Sequence, residues 1–185
     1  MKFIETKLKG AYVITPDWIE NDRGFFARTF CRHEFAGMGL NPDLVQSNLS
    51  YNKKKGTLRS MHYQIRPHFE VKLVRCTAGA IYDVIIDLHP TSSTFMQWFA
   101  TELTAKNHRQ FYVSEGFGHG YQTLLPDTEV FYQVSAFYNP RSERGVRWND
   151  PAFGITWPLA ITLISQKDQI HPLINNHFLG NDSCI

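Results

Sequence analysis

The sequence predicts an all-β protein, a sandwich or barrel of antiparallel strands. Short runs rich in β-branched and aromatic residues recur along the chain. Turn signals separate them at intervals of about 8–12 residues. No long stretch carries the 3.6-residue apolar period of an amphipathic helix, which argues against a wound α/β fold. Hydrophobic residues make up 43% of the chain and aromatics 14%, enough to fill a core and to exclude a disordered reading. The length suits one domain over residues 1–174 with a peripheral C-terminal tail, 175–185.

The elements follow in order. Ala11–Thr15 reads as a strand that stops at Pro16, and Asn21-Asp22-Arg23-Gly24 is a turn signal leading into an aromatic strand, Phe25–Phe30. His33–Gly37 fits one or two helical turns, while Asp43–Ser50 and Gly56–Tyr63 look extended. The middle is clearest: Val71–Ala78, Ala80–Leu88, Met96–Leu103 and Arg109–Val113 are β-rich, and Gly79, Pro90–Ser93 and Ala105–Asn107 divide them. Val130–Tyr138 reads as a strand, followed by a turn over Pro140–Gly145. Beyond Trp148 the chain reads as loop with one short strand, and from Ser165 as a short helix.

The formal net charge of +2 gives no argument for duplex nucleic acid or an anionic membrane as partner. A few arginines gathered in one pocket could still hold a pyrophosphate. The three cysteines, Cys31, Cys76 and Cys184, have neither disulfide-framework nor zinc-ribbon spacing. With no apolar run of signal or membrane-span length, the expectation is a cytoplasmic protein.

Several residues could carry chemistry. In Leu58-Arg59-Ser60-Met61-His62-Tyr63-Gln64, a period of two puts Leu58, Ser60, His62 and Gln64 on one strand face. A histidine and a glutamine there could line a lumen, although a lone histidine more often belongs to a core or surface. Glu70, Lys72 and Val74 share a face whose default reading is a solvated exterior. Asp83 and Asp87 are embedded among aliphatics; charges pointing inward would need partners and would mark a pocket. Tyr132 and Tyr138, six residues apart, would share a face of a regular strand, and Asp168 would ordinarily be a helix-start or surface acid. Glu115-Gly116-Phe117-Gly118-His119-Gly120 resembles the second cupin motif. The metal-binding first motif is incomplete, because His62-Tyr63-Gln64 supplies one histidine where two are needed, so no metal is expected. Phosphate-loop, dinucleotide and serine-hydrolase signatures are missing.

Taken together, these segments resemble the dTDP-4-dehydrorhamnose 3,5-epimerase family over about residues 3–173. The resemblance rests on eight motifs in register. They are Asp22-Arg23-Gly24-Phe25-Phe26, Gln46-Ser47-Asn48-Leu49-Ser50, Leu58 to Gln64, Lys72-Leu73-Val74-Arg75, Asp83-Val84 through Asp87-Leu88, Glu115 to Gly120, Trp148-Asn149-Asp150-Pro151 and Trp157-Pro158. The resemblance implies a cupin-type jelly roll and cofactor-free epimerisation at C3 and/or C5 of a nucleotide-linked 4-keto-6-deoxyhexose, in deoxysugar (dTDP-rhamnose-like) biosynthesis for cell-surface polysaccharide. It implies His62 as base, Asp168 as the carboxylate orienting it, Lys72 as the cation beside the C4 oxygen and Tyr132 as the acid on the opposite sugar face. Position matching also implies substrate contacts from Arg23, Phe26, Arg28, Gln46, Asn48, Arg59, His119 and Tyr138. It further implies a homodimer with shared sites, the strand bearing Arg23 and Phe26 reaching into the neighbouring subunit.

Three positions depart from the family pattern. Arg28 replaces a glutamate near the nucleotide base, which suggests an altered base preference such as a CDP-sugar. Ser60-Met61 replaces Gly-Leu before His62, and Glu70 replaces glutamine. Rival readings are a sugar-nucleotide 3,4-ketoisomerase, a metal-dependent cupin oxygenase and a non-catalytic sugar-binding sandwich.

Overall fold

A computed structural model describes residues 1–174; the expected tail lies outside the described residues. Among these residues the chain forms fourteen strands and two short helices. One sheet is built from β1 (Lys2–Glu5), β2 (Tyr12–Thr15), β5 (Gln46–Asn52), β7 (Lys72–Ala78), β10 (Gln110–Val113) and β12 (Thr128–Val134), in the order β1-β2-β10-β7-β12-β5. The second contains β6 (Thr57–Gln64), β8 (Ala80–Asp87), β9 (Trp98–Thr104), β11 (Phe117–Thr123) and β13 (Glu143–Gly145), in the order β13-β6-β11-β8-β9. The short β14 (Leu163–Ile164) pairs in parallel with β6. A separate hairpin joins β3 (Trp18–Asn21) to β4 (Gly24–Ala27). Every other pairing is antiparallel, and the architecture is the cupin-like jelly roll implied above.

Alternation along the strands sorts residues between three apolar clusters. Val74 and Cys76 on β7, Ile81 and Ile85 on β8, and Phe111 and Val113 on β10 pack with Phe117, Tyr121 and Val130 between the sheets. The opposite face of β7 sends Leu73 outward, where Phe35 of α1 (Arg32–Gly37) and Leu40 cover it with Ile14 and Tyr112. The outer face of the second sheet, with Met61, Tyr63, Val84 and Ile86, lies under Val146, Phe153 and Trp157 from the C-terminal loops. Both faces of β8 are therefore buried, which is why its sequence is almost continuously apolar. Gly79, at φ +76°, carries the chain from one sheet to the other. A Cβ there would meet the Thr128 hydroxyl at 2.3 Å.

The sequence expectations hold for most elements and fail at definable places. Val130–Tyr138 is not one strand: β12 ends at Val134, so Tyr138 reaches its position from a loop. The turn expected over Pro140–Gly145 ends in the short strand β13. Lys2–Glu5 and Trp18–Asn21, both largely exposed, are strands with little apolar signal of their own register.

One buried acid is structural. Asp87 is 2% exposed and accepts hydrogen bonds from the His89 backbone N–H (3.0 Å), His89 Nδ1 (2.9 Å), the Ser92 hydroxyl (2.5 Å) and the Thr94 hydroxyl (2.6 Å). Burial raises its pKa, but these bonds outweigh it and hold the carboxyl down at about 2. A depressed carboxyl stabilises the fold above its unfolded pKa and loses that contribution as pH falls through the folded value. Asp87→Asn is expected to lower stability by about 2 kcal/mol at neutral pH. The deficit should vanish as urea melts are repeated from pH 4 down to pH 2.

Candidate active site

The apolar fill between the sheets stops part-way, and beyond it lies a cavity of about 600 Å³. From the first sheet it is lined by Gln46 and Asn48 on β5, Lys72 on β7 and Tyr132 on β12. The second sheet contributes Arg59, His62, His119 and Glu143, and Tyr138 stands at the rim.

A strict two-residue period would put Arg59 and His62 on opposite faces. The structure corrects this with a β-bulge. His62 pairs with His119 and Arg59 with Tyr121, so three steps on β6 match two on β11. The extra residue reverses the alternation, and Arg59 and His62 both face the cavity. Gly120 sits opposite the bulge. A Cβ there would lie 2.7 Å from the Arg59 carbonyl oxygen and 2.8 Å from Ser60 Cα. The bulge also turns the Ser60 N–H toward Asp168 Oδ2, at 3.3 Å.

Asp168 is buried in α2 (Gln166–Gln169) rather than lying on the surface. Its own N–H donates to the Ser165 hydroxyl at 3.0 Å, an N-cap bond that fixes the turn. Its Oδ1 lies 2.8 Å from His62 Nε2. Burial raises the Asp168 pKa, but the His62 contact together with the Ser60 and Ser165 groups lowers it further, leaving the carboxyl below its ordinary range. When His62 is neutral, an ionised Asp168 can accept its Nε2–H, which leaves Nδ1 without a proton, the form a base requires.

Lys72 points inward, not to the solvated exterior its pattern suggested. Nζ donates to the His62 carbonyl oxygen at 3.2 Å and pairs with Glu70 Oε1 at 3.2 Å. Glu70 Oε2 accepts from Gln64 Nε2 at 3.2 Å. Tyr132 comes from the opposite sheet, and its hydroxyl makes no hydrogen bond among the described residues. Burial, followed by Tyr121 and Glu70, pushes its pKa above that of a free phenol.

The other residues named from sequence divide into two groups. Arg59 Nε donates to Asn52 Oδ1 at 2.8 Å, Gln46 Nε2 to Asn48 Oδ1 at 2.9 Å, and His119 Nε2 lies 2.9 Å from the fully buried Asp83. The Tyr138 hydroxyl donates to Glu143 Oε2 at 2.7 Å, and Lys167 Nζ reaches the same oxygen at 2.5 Å. Arg23, Phe26 and Arg28 lie outside this chain's cavity, on or just after the exposed β3–β4 hairpin. Arg28 is tied to Glu34 at 3.2 Å. Glu143 and His171 were not anticipated. Glu143 sits in a segment that reads as a turn, and an isolated His-Pro step gives no sign of burial beside Asp168.

The fold and the site define a cupin-like enzyme whose inter-sheet cavity holds a histidine–carboxylate pair, a lysine and a phenol, groups suited to moving protons. The sequence profile described as dTDP-4-dehydrorhamnose 3,5-epimerase matches residues 5–176. A Shigella flexneri protein of that name is 37% identical over 91% of this chain and 93% of its own. The crystal structure of a Bacillus anthracis dTDP-4-dehydrorhamnose 3,5-epimerase with TDP and pyrophosphate bound superposes with a TM-score of 0.90 at 42% identity, covering 94% of this chain and 99% of that one. A Legionella pneumophila dTDP-6-deoxy-D-glucose-3,5-epimerase in complex with dTDP-4-keto-L-rhamnose gives 0.89 at 33% identity, over 96% of each chain. The chain therefore belongs to the dTDP-4-dehydrorhamnose 3,5-epimerase family and is an isomerase.

The bulge gives a direct test. Gly120→Ala drives a methyl group into backbone and should destabilise the protein by about 1–3 kcal/mol, as overpacking does. Because relief requires β6 to move, turnover should fall by more than the loss of folded protein explains. Urea melts paired with activity measurements separate the two effects.

Proposed function

We propose that this protein epimerises C3 and C5, the carbons flanking the C4 ketone, of a dTDP-linked 4-keto-6-deoxyhexose in dTDP-rhamnose biosynthesis. The observation that carries the reading is the placement of His62, backed by Asp168, and Tyr132 on opposite sheets of one cavity, with Lys72 also lining it. The ketone acidifies both neighbouring C–H bonds. His62 Nδ1 takes the proton, and the electron pair moves into the ring to give an enolate with its charge on the C4 oxygen. Asp168 fixes the imidazole and stabilises the imidazolium that forms. Lys72 neutralises the enolate oxygen; a preorganised donor of this kind is worth about 10²–10³ in rate. Tyr132 returns a proton from the other face, which inverts the carbon. Its elevated pKa keeps the phenol protonated, so the donor form persists to pH values above those at which a free tyrosine ionises.

Arg59 and His119 suit the diphosphate, with polar support from Gln46 and Asn48 and an aromatic contact from Tyr138. The relatives' ligands favour a thymidine nucleotide. The Arg28 guanidinium pairs with Glu34 on the exposed surface, outside this chain's cavity. A panel of dTDP-, UDP- and CDP-linked 4-keto sugars should show dTDP preference. We place the reaction in the cytoplasm; Cys31 and Cys76 are free thiols, and no described helix is long and apolar enough to cross a membrane.

We further propose a homodimer with shared sites. The β3–β4 hairpin pairs with neither large sheet and exposes Ile19 and Phe26 at 63% and 64%, beside Phe25 and Arg23. An apolar hairpin of this kind fits a partner's cavity rim, where Arg23 would meet the diphosphate and Phe26 the base. Phe26→Asp should give monomers in light scattering and raise KM, whereas a parent protein that is already monomeric would remove the shared-site reading.

Proton NMR in deuterium oxide tests the chemistry. The parent should exchange the C3 and C5 protons. His62→Ala should lose at least about 10²-fold in exchange, while Tyr132→Phe should still exchange at one face yet form little inverted product. Exchange in His62→Ala at the parental rate would eliminate it as the base.

A further inference from the structure

Behind His62 the structure places a second imidazole. The His171 ring stands edge-on to that of His62, with centroids 5.6 Å apart at 74°. Its Nε2 lies 3.7 Å from Asp168 Oδ1, the oxygen that His62 Nε2 contacts at 2.8 Å. His171 is 9% exposed, and its Nε2 has no hydrogen-bond partner among the described residues. Arg147 holds the segment by donating Nε to the His171 carbonyl oxygen at 2.8 Å and its N–H to that of Pro172 at 3.1 Å. The ring rests on Gly145, where a Cβ would fall 2.4 Å from Nε2. A buried nitrogen that satisfies nothing is costly, and here it is held in place from two sides and directed at a carboxylate.

We infer that His62, Asp168 and His171 form a binding site for a borderline divalent cation such as zinc or cobalt, and that its occupation switches the enzyme off. One donor atom from each residue lies within 4.8 Å of the other two. A tetrahedral ion with ligands at about 2.0–2.1 Å needs its donors about 3.3–3.4 Å apart. The 2.8 and 3.7 Å separations around Asp168 Oδ1 bracket that spacing, and the two imidazole nitrogens, within 4.8 Å of each other, complete the set. Two imidazole nitrogens and one carboxylate oxygen suit zinc or cobalt. Magnesium, which demands near-ideal octahedral oxygen coordination, is a poor match.

The inhibitory effect rests on the reading of His62 as the base. Without a cation, the single ring proton of neutral His62 sits on Nε2 and Nδ1 is free to accept. A cation on Nε2 forces that proton to Nδ1 and also occupies the Asp168 oxygen. The imidazole is then held in the tautomer that cannot abstract a proton from sugar carbon.

The test uses the full-length protein with Co²⁺, Zn²⁺ and Mg²⁺ as chlorides. Visible absorption of bound Co²⁺ reports occupancy independently of turnover. One equivalent of Co²⁺ is expected to bind, Zn²⁺ to displace it, and both to inhibit reversibly on chelation, while Mg²⁺ does neither. His171→Phe keeps a ring in the slot and His171→Gln keeps a polar group. In whichever variant melts like the parent, Co²⁺ affinity and metal sensitivity, each relative to its own metal-free rate, should fall together by roughly tenfold or more. Failure of the parent to bind Co²⁺ overturns the site, as does binding that His171→Phe leaves unchanged. Zinc inhibition that persists undiminished in the variants also overturns it, because that would be chelation of the substrate's diphosphate. Cobalt binding that depends on His171 but leaves turnover intact would overturn the switch, while deuterium exchange in His62→Ala decides separately whether His62 is the base.

Discussion

The contact between His62 and Asp168 joins residues 106 positions apart in sequence, and the catalytic end of the sandwich is arranged to make it. Strand β6 has to bulge so that the imidazole faces the cavity beside Arg59. The same bulge frees the Ser60 N–H for the second carboxylate oxygen. The C-terminal segment has to return along β6, through the short β14 pairing, before α2 can present Asp168. The carboxylate then accepts bonds from both ends of this arrangement, which explains why it stays ionised although it is buried. In the proposed reaction this pair supplies a base held in one tautomer by a buried anion, acting on a carbon already acidified by a ketone.

The remaining charges form a balance around that pair. Lys72 and Glu70 neutralise each other in the free protein, and Gln64 holds the glutamate. An isolated ammonium this deep would pay a large desolvation cost, and the pairing reduces it. In the proposed reaction Lys72 would share its charge between Glu70 and the negative charge that develops on the sugar in the same cavity. His119 and Asp83 repeat the histidine–carboxylate theme one strand away, with Asp83 wholly buried. The two histidines are cross-strand partners, so the two histidine–carboxylate pairs sit side by side on the second sheet.

Most of the fold was legible in the sequence because alternation and turn residues report local geometry directly. The strands β7 to β10 follow the apolar runs and the glycine and proline breaks closely. Their failures also have physical causes. Val130–Tyr138 reads as one β-forming run, but β12 ends at Val134 and a loop delivers the Tyr138 side chain. Lys72 reads as an exterior residue because a strand face carrying two charges, Glu70 and Lys72, usually faces solvent; here the two charges pair with each other at the cavity instead. The residues that share the cavity were singled out by family resemblance, not by local pattern. Periodicity would have put Arg59 and His62 on opposite faces, since one inserted residue leaves no mark on composition. Arg23, Phe26 and Arg28 fall outside the cavity of a single chain, which no local pattern could have indicated.

The division of the sandwich into an apolar half and a polar half sets the conditions for this chemistry. Along β8, Ile81 and Ile85 fill the interior on either side of Asp83, and along β11 Phe117 and Tyr121 flank His119. The polar groups are thus set among packed aliphatic and aromatic side chains rather than in open solvent. Surroundings of this kind keep rotamers fixed and lower the local dielectric, and both effects strengthen a preorganised charge at the moment it is needed. Any substitution that loosens the apolar half should therefore weaken the chemistry before it unfolds the chain, because the catalytic groups depend on that packing for their orientation as much as the fold depends on it for stability.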